Sequence, residues 1–200
     1  MQLYVKFISI FTLINVATGK FNLETSEMET LLCFVPTPVR TFFSTLSSTN
    51  LKTLMQIDAL SLSTDEIEAY LTENDHTLLK NINRLTRPYE RKFEKLPADA
   101  QVFLKNTYDL FFAILTRKTL TDFNETKSSI ETIATNFNDL TDSGMAAIDD
   151  LLPVLTPVLK SDELKSILDQ GRAATDFSQL ILLKLRLFTL LQNLGCQNKN

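Results

Sequence analysis

Tryptophan is absent from these 200 residues, histidine occurs once, cysteine twice and glycine four times. Each scarcity removes a class of explanation. So few glycines leave little material for tight hairpin turns, which argues against an all-β fold built from many short strands. They could hardly furnish a P-loop, a G-x-G-x-x-G turn or a nucleophile elbow, and none of these patterns occurs. Any Ser-His-Asp or Cys-His centre would have to use His76, which stands in TENDHTLL at an expected helix start, where a solvated cap-region residue is the plainer explanation. Zinc sites draw on several His and Cys ligands, and one His with two distant Cys does not supply them. Positive charge is not in excess either. The 20 Lys and Arg against 24 Asp and Glu give a formal charge of -4, so a nucleic-acid partner has no global electrostatic support. The pairs Asp149-Asp150 and Asp162-Glu163 fall at helix-surface or cap positions, where solvation explains them. No catalytic centre, metal site or cofactor is expected.

What the chain does have is apolar surface to bury. Hydrophobic residues make up 44% and charged residues 22%, the balance of a globular protein with a sizeable core. The length suits one domain or at most two. The first residues, MQLYVKFISIFTLINVATGKF, carry Lys6, a mostly apolar stretch from Phe7 to Val16, and the small residues Ala17-Thr18-Gly19. This is the pattern of a secretory signal over 1–19, cleaved before Lys20, and its apolar stretch is too short for a membrane anchor. Removing it takes one of the 20 basic residues and no acid, leaving 19 against 24, a net charge of -5. In an oxidising compartment Cys33 and Cys196 could pair, a long loop closure worth ~4–5 kcal/mol in the chain-entropy model, or could stay as two buried thiols. Asn124-Glu125-Thr126 is a sequon, so Asn124 is a candidate glycosylation site on the surface of a secreted protein.

The periodicity is helical nearly everywhere. In LLKNINRLTRPYERKFEKL (78–96), Leu78, Ile82, Leu85, Tyr89, Phe93 and Leu96 form one apolar stripe of a helix that Pro88 should break or kink near Arg87. Lys80, Arg84, Arg87, Arg91 and Lys95 form a basic stripe beside it, best explained as a solvated face diluted by Glu90 and Glu94, with no more than transient contact with an anionic membrane. PTPVRTFFSTL (36–46) and TNLKTLMQIDAL (49–60) read as short amphipathic helices, and Ser63-Thr64-Asp65-Glu66 as a capping box opening another through Leu71. A helix from Pro97 to about Lys118 follows. Then come helices over 125–140, from Thr141-Asp142 to Leu152, and from the cap Ser161-Asp162-Glu163, with Pro153 and Pro157 marking a bend that holds a short helix. Two segments are apolar on nearly every side: YDLFFAILTRKTL (108–120), through Leu110 to Leu115, and FSQLILLKLRLFTLLQNL (177–194), interrupted by Lys184 and Arg186. They suggest a central pair wrapped by amphipathic helices. The expectation is an all-α single domain over 20–200, of roughly ten short and medium helices. An interior larger than its side chains fill would accept apolar guests.

The order of these segments resembles the nematode fatty-acid- and retinol-binding proteins over about 35–168. VPTPVRTFFSTLSSTNLKTLMQI looks like the opening helix pair of that family. KNINRLTRPYERKFEKLPADAQVFLKN is similar to its central basic-apolar helix, proline turn and Ala-x-x-Phe-x-Lys, and NDLTDSGMAAIDDLLPVLTPVLKSDEL to its later helix, bend and acidic cap. The chain departs from the family in being Thr- and Phe-rich, in its two cysteines and in the helix 177–194, which puts ligand choice and cavity shape in question more than fold. The resemblance implies non-catalytic binding of fatty acids and retinol in an internal apolar cavity. It points to a wall from Phe103, Phe111, Ile114, Leu115, Ile130, Ile133, Phe137, Leu151 and Leu155, with Tyr108 or Arg84 at the head group. The rival expectation is a secreted helical interaction protein whose apolar grooves take a protein partner.

Overall fold

The computed structural model describes residues 37–60, 64–116 and 122–195; the side chains of residues 40, 43, 58, 59, 64, 65, 111–116 and 195 lie outside that description. The expected signal segment, Ser63, Cys33 and Cys196 also fall outside it. Among the described residues there are ten α-helices, one 3-10 turn and no strand. The all-α expectation therefore holds. The helices cluster into two compact units, residues 37–94 and 95–195.

The first unit holds α1 (Thr37–Ser44), α2 (Ser48–Leu60), α3 (Thr64–Asn74) and α4 (His76–Glu94). Its core joins Leu54 and Ile57 of α2, Ile67 and Leu71 of α3, and Leu78, Leu79 and Ile82 of α4, with Phe42, Leu46 and Tyr70 packed against them. Local chemistry sets the corners. Ser47 and Asn50 cap α2 reciprocally, each backbone N–H donating to the other's side chain at 3.0 and 3.1 Å. The Asn50 amide also donates to Asp75 at 2.7 Å, and Asp75 accepts from the Leu78 backbone at 3.0 Å, so one carboxylate starts α4 and anchors α2.

Two expectations for α4 need correction. The helix is not broken at Pro88 but runs through it. Proline removes the bond to the Arg84 carbonyl, yet Arg84 lies on the exposed face, where water can take that oxygen, and buried residues on both sides hold the helix in place. The buried stripe is also rotated. Leu85 and Tyr89 are only half-buried, while Thr86 and Glu90 are 1% and 7% exposed. Thr86 Oγ1, Glu90 Oε1 and Asn83 Oδ1 have no hydrogen-bond partner. The five basic residues of the second stripe are all exposed, as a solvated face requires.

The second unit holds α5 (Ala98–Thr116), α6 (Phe123–Asn138), α7 (Asp142–Leu151), a 3-10 turn (Pro153–Leu155), α8 (Thr156–Leu159), α9 (Asp162–Ala173) and α10 (Phe177–Gly195). Its caps are those the sequence spells. Thr141 accepts from the Gly144 backbone at 3.0 Å and Ser161 from the Leu164 backbone at 3.1 Å. The two prolines give the expected bend and short helix. Asp99, in the first turn of α5, accepts from both the backbone N–H and the hydroxyl of Thr141 at 2.8 Å. Those two donors hold its carboxyl below the usual aspartate value. Gly144 lets α7 approach closely at this joint, because a Cβ there would collide with the Asp99 carboxylate and displace it from Thr141. A second close approach lies between α6 and α9, where a Cβ on Gly171 would meet Ile130 Cγ2 at 2.6 Å.

The last helix is not sheathed on all sides, contrary to the expectation for 177–194. Leu180, Leu183, Phe188, Leu190 and Leu191 are buried, but Ile181, Leu182 and Leu185 are 51%, 60% and 53% exposed. No helix among the described residues is long and apolar enough to cross a membrane.

Candidate functional site

The reversal between α9 and α10 is built by local polar chemistry. The Thr175 backbone donates to the Gln179 side chain at 3.0 Å, the Gln179 backbone donates to Asp176 Oδ1 at 3.0 Å, and the Gln179 amide bonds back to Thr175 Oγ1 at 3.1 Å. This capping arrangement starts α10 and lays it back along α9. Residues 182, 185, 186, 189 and 193 then recur at three- and four-residue spacing on one side of α10. Together with Glu163, Gln170 and Ala173 of α9 they line an open groove of about 750 Å³. Its apolar lining comes from Ala173, Leu182, Leu183, Leu185 and Leu190.

One cation lines the groove. Arg186 donates from Nε and Nη2 to a single oxygen of Glu163, at 3.1 and 2.6 Å, and from Nη1 to the Gln170 side-chain oxygen at 2.7 Å. The pair is partly solvated, with side-chain exposures of 37% for Arg186 and 46% for Glu163, so it adds little stability. Outside the groove lining, Lys184 Nζ lies 5.4 Å from the centroid of the Phe188 ring.

The residues singled out from sequence sit elsewhere in the second unit, with one exception. Phe103 of α5 and Phe137 of α6 are brought together, ring centroids 6.0 Å apart and tilted by 48°. Phe103, Ile133 and Leu151 are buried, Phe137 and Leu155 half-buried, and half-buried Ile130 lies against Gly171. Phe111, Ile114 and Leu115 belong to α5, with side chains outside the description. Tyr108 is half-buried in α5; desolvation, and then the negative charge of Asp109, push its phenol above the usual value, so it stays a neutral donor. The exception is Arg84, which is exposed on α4 of the first unit. Asn124 is exposed in the first turn of α6, whereas Thr126 of the same sequon is buried and donates its hydroxyl to the Asp122 carbonyl at 2.9 Å. His76 is exposed at the first position of α4. No group of three or more His, Cys, Asp or Glu placed to hold a metal occurs among the described residues.

The family model for the nematode fatty acid retinoid binding protein (Gp-FAR-1) matches residues 33–171, well over half of the chain. The chain belongs to that family. Fatty acid retinoid binding proteins of this kind thus account for α1 to most of α9, and the match stops just short of α10. No curated protein and no solved structure gives a significant match. Sequence reasoning missed the α9–α10 groove and its Arg186. The signal available was a charge standing inside a leucine run, Leu185-Arg186-Leu187.

Proposed function

We propose that the chain is a secreted, non-catalytic carrier that binds fatty acids and retinol in an apolar site. The observation that supports this most is the fatty acid retinoid binding family match over residues 33–171. In this reading residues 1–19 are removed on secretion and residues 20–200 form the carrier domain. The faces of α5, α6 and α7 with Phe103, Phe111, Ile114, Leu115, Ile130, Ile133, Phe137 and Leu151, and Leu155 of the 3-10 turn, supply the wall. Sixteen buried methylenes would contribute ~13 kcal/mol at ~0.8 kcal/mol each. Ligand immobilisation and head-group desolvation remove much of that, leaving micromolar to nanomolar affinity.

The test is organic extraction and mass spectrometry of freshly purified protein, paired with displacement of a fluorescent fatty acid by oleate and retinol. Co-purified acyl lipid at about one per chain, with competition by both ligands, is the expected result. A protein that carries no lipid and ignores the probe refutes the carrier reading. One observation favours a second reading, that of a helical interaction protein: Ile181, Leu182 and Leu185 stand together, half or more exposed, on α10. That reading requires a protein-dependent complex, seen by sedimentation, that a charge at Leu182 abolishes.

A further inference from the structure

We infer that the α9–α10 groove is the entry point for the carboxylate end of a fatty acid, with Arg186 as its cationic contact and Glu163 as a built-in competitor for that contact. The inference rests on the carrier reading and adds to its wall a separately lined groove that takes the head group and the methylenes next to it. Three features of the groove select such a ligand.

The first is amphipathic composition. Leucines and Ala173 supply the groove's apolar lining, and its charged side chains are Arg186, the one cation among the lining residues, and Glu163 paired with it. An occupant with one anionic end and an apolar tail complements both; an uncharged polyene alcohol complements only the leucines. The second is exposure. Leu182 and Leu185, half or more exposed, present apolar surface that an acyl chain would cover. The third is the state of the guanidinium. Three of its five N–H donors are used, two of them on the same oxygen of Glu163. A ligand carboxylate that meets the Nε and Nη2 edge with both of its oxygens improves on this one-oxygen contact.

Glu163 is what makes the site switchable. Its carboxylate compensates Arg186, and at 46% side-chain exposure it can turn into water when a ligand carboxylate arrives. Exchanging one carboxylate for another leaves the net charge of the pair unchanged, so the guanidinium is never left uncompensated beside apolar surface. Removing the charge of Glu163 should therefore tighten fatty-acid binding, and removing that of Arg186 should weaken it.

The experiment measures oleate and retinol affinities for the full secreted chain and for Arg186→Gln and Glu163→Gln. Loss of a charge-assisted contact predicts about a ten- to hundredfold fall in the oleate-to-retinol affinity ratio for Arg186→Gln. Glu163→Gln should shift the ratio the other way. Both side chains are partly solvated, so both variants should fold, and circular dichroism checks this. Leu182→Asp, at a position 60% exposed, is the further variant and should weaken oleate binding through its tail. If the wild-type chain binds oleate and all three variants match it, the groove assignment fails while the carrier reading stands. If the wild type binds neither ligand, both fail. Self-association of the wild type that Leu182→Asp abolishes would show that a second copy covers the groove, and would overturn the assignment.

Discussion

Replacing Gly171 by alanine sets two opposing effects against each other, and the structure decides which wins. Gly171 lies inside α9, where alanine would ordinarily gain up to about 1 kcal/mol over glycine. The added methyl, however, would sit 2.6 Å from Ile130 Cγ2, with the Cβ and Cδ1 of the same side chain already at 3.8 Å. Carbon atoms rest at roughly 3.5–4.0 Å, so α6 and α9 must part by about 1 Å. Because Cγ2 belongs to a β-branched side chain, swinging the tip does not relieve the clash. Overpacking of this kind costs about 1–3 kcal/mol. The net expectation is a loss of about 1 kcal/mol, seen as a Tm lower by about 2–4 °C in a domain of this size. Urea denaturation of the full cycle with Ile130→Ala sharpens the test. With Cγ2 gone, Gly171→Ala should become stabilising by up to about 1 kcal/mol, a coupling of about 1–3 kcal/mol between the two positions. A Gly171→Ala protein more stable than wild type in the Ile130 background would refute the close approach.

Two further perturbations test other parts of the fold. Thr86 is 1% exposed with an unpartnered hydroxyl, so Thr86→Val should raise stability by about 1 kcal/mol by removing a desolvated polar atom without changing shape, as urea denaturation would show; a loss of similar size would mean that the hydroxyl has a partner in solution. The Thr141 donors depress the Asp99 carboxyl below its ordinary 3.8 in the folded state, so its stabilising contribution is fully present above that value and is lost as pH falls through the lower folded one. Thermal melts of Asp99→Asn against wild type should differ at pH 6 and converge as the pH falls below about 4. A difference that stays constant into acid would detach Asp99 from the effect.

The parts of this fold that were legible in the sequence are those governed by nearest-neighbour chemistry. Thr141 and Ser161 announce their helices because an N-cap needs only its own side chain and the next three residues. The bend at Pro153 and Pro157 is equally local. Legibility ends where a neighbouring helix decides the outcome. The burial of Thr86 and Glu90 in place of Leu85 and Tyr89 shifts the buried face in the middle of α4, while Leu78, Ile82 and Phe93 of the stripe stay buried, and no pattern in the helix itself reveals that shift. Likewise α10 is leucine-rich on most sides, so composition could not say which face would be left open; that depends on where α8 and α9 pack against it. The groove therefore follows from packing, and Arg186 was visible only as an interruption.

The bond from Asp99 to Thr141 has a consequence for the order of folding. Its partners are 42 residues apart, and the whole of α6 lies between them. Closing such a loop costs conformational entropy that a single carboxylate contact does not repay, so the bond can form only once α6 has already folded back onto α5. It is a late contact. Weakening it should therefore leave the refolding rate nearly unchanged and act by hastening unfolding, which makes Asp99 a clasp that prolongs the life of the folded α5–α6–α7 segment rather than a nucleus that starts it.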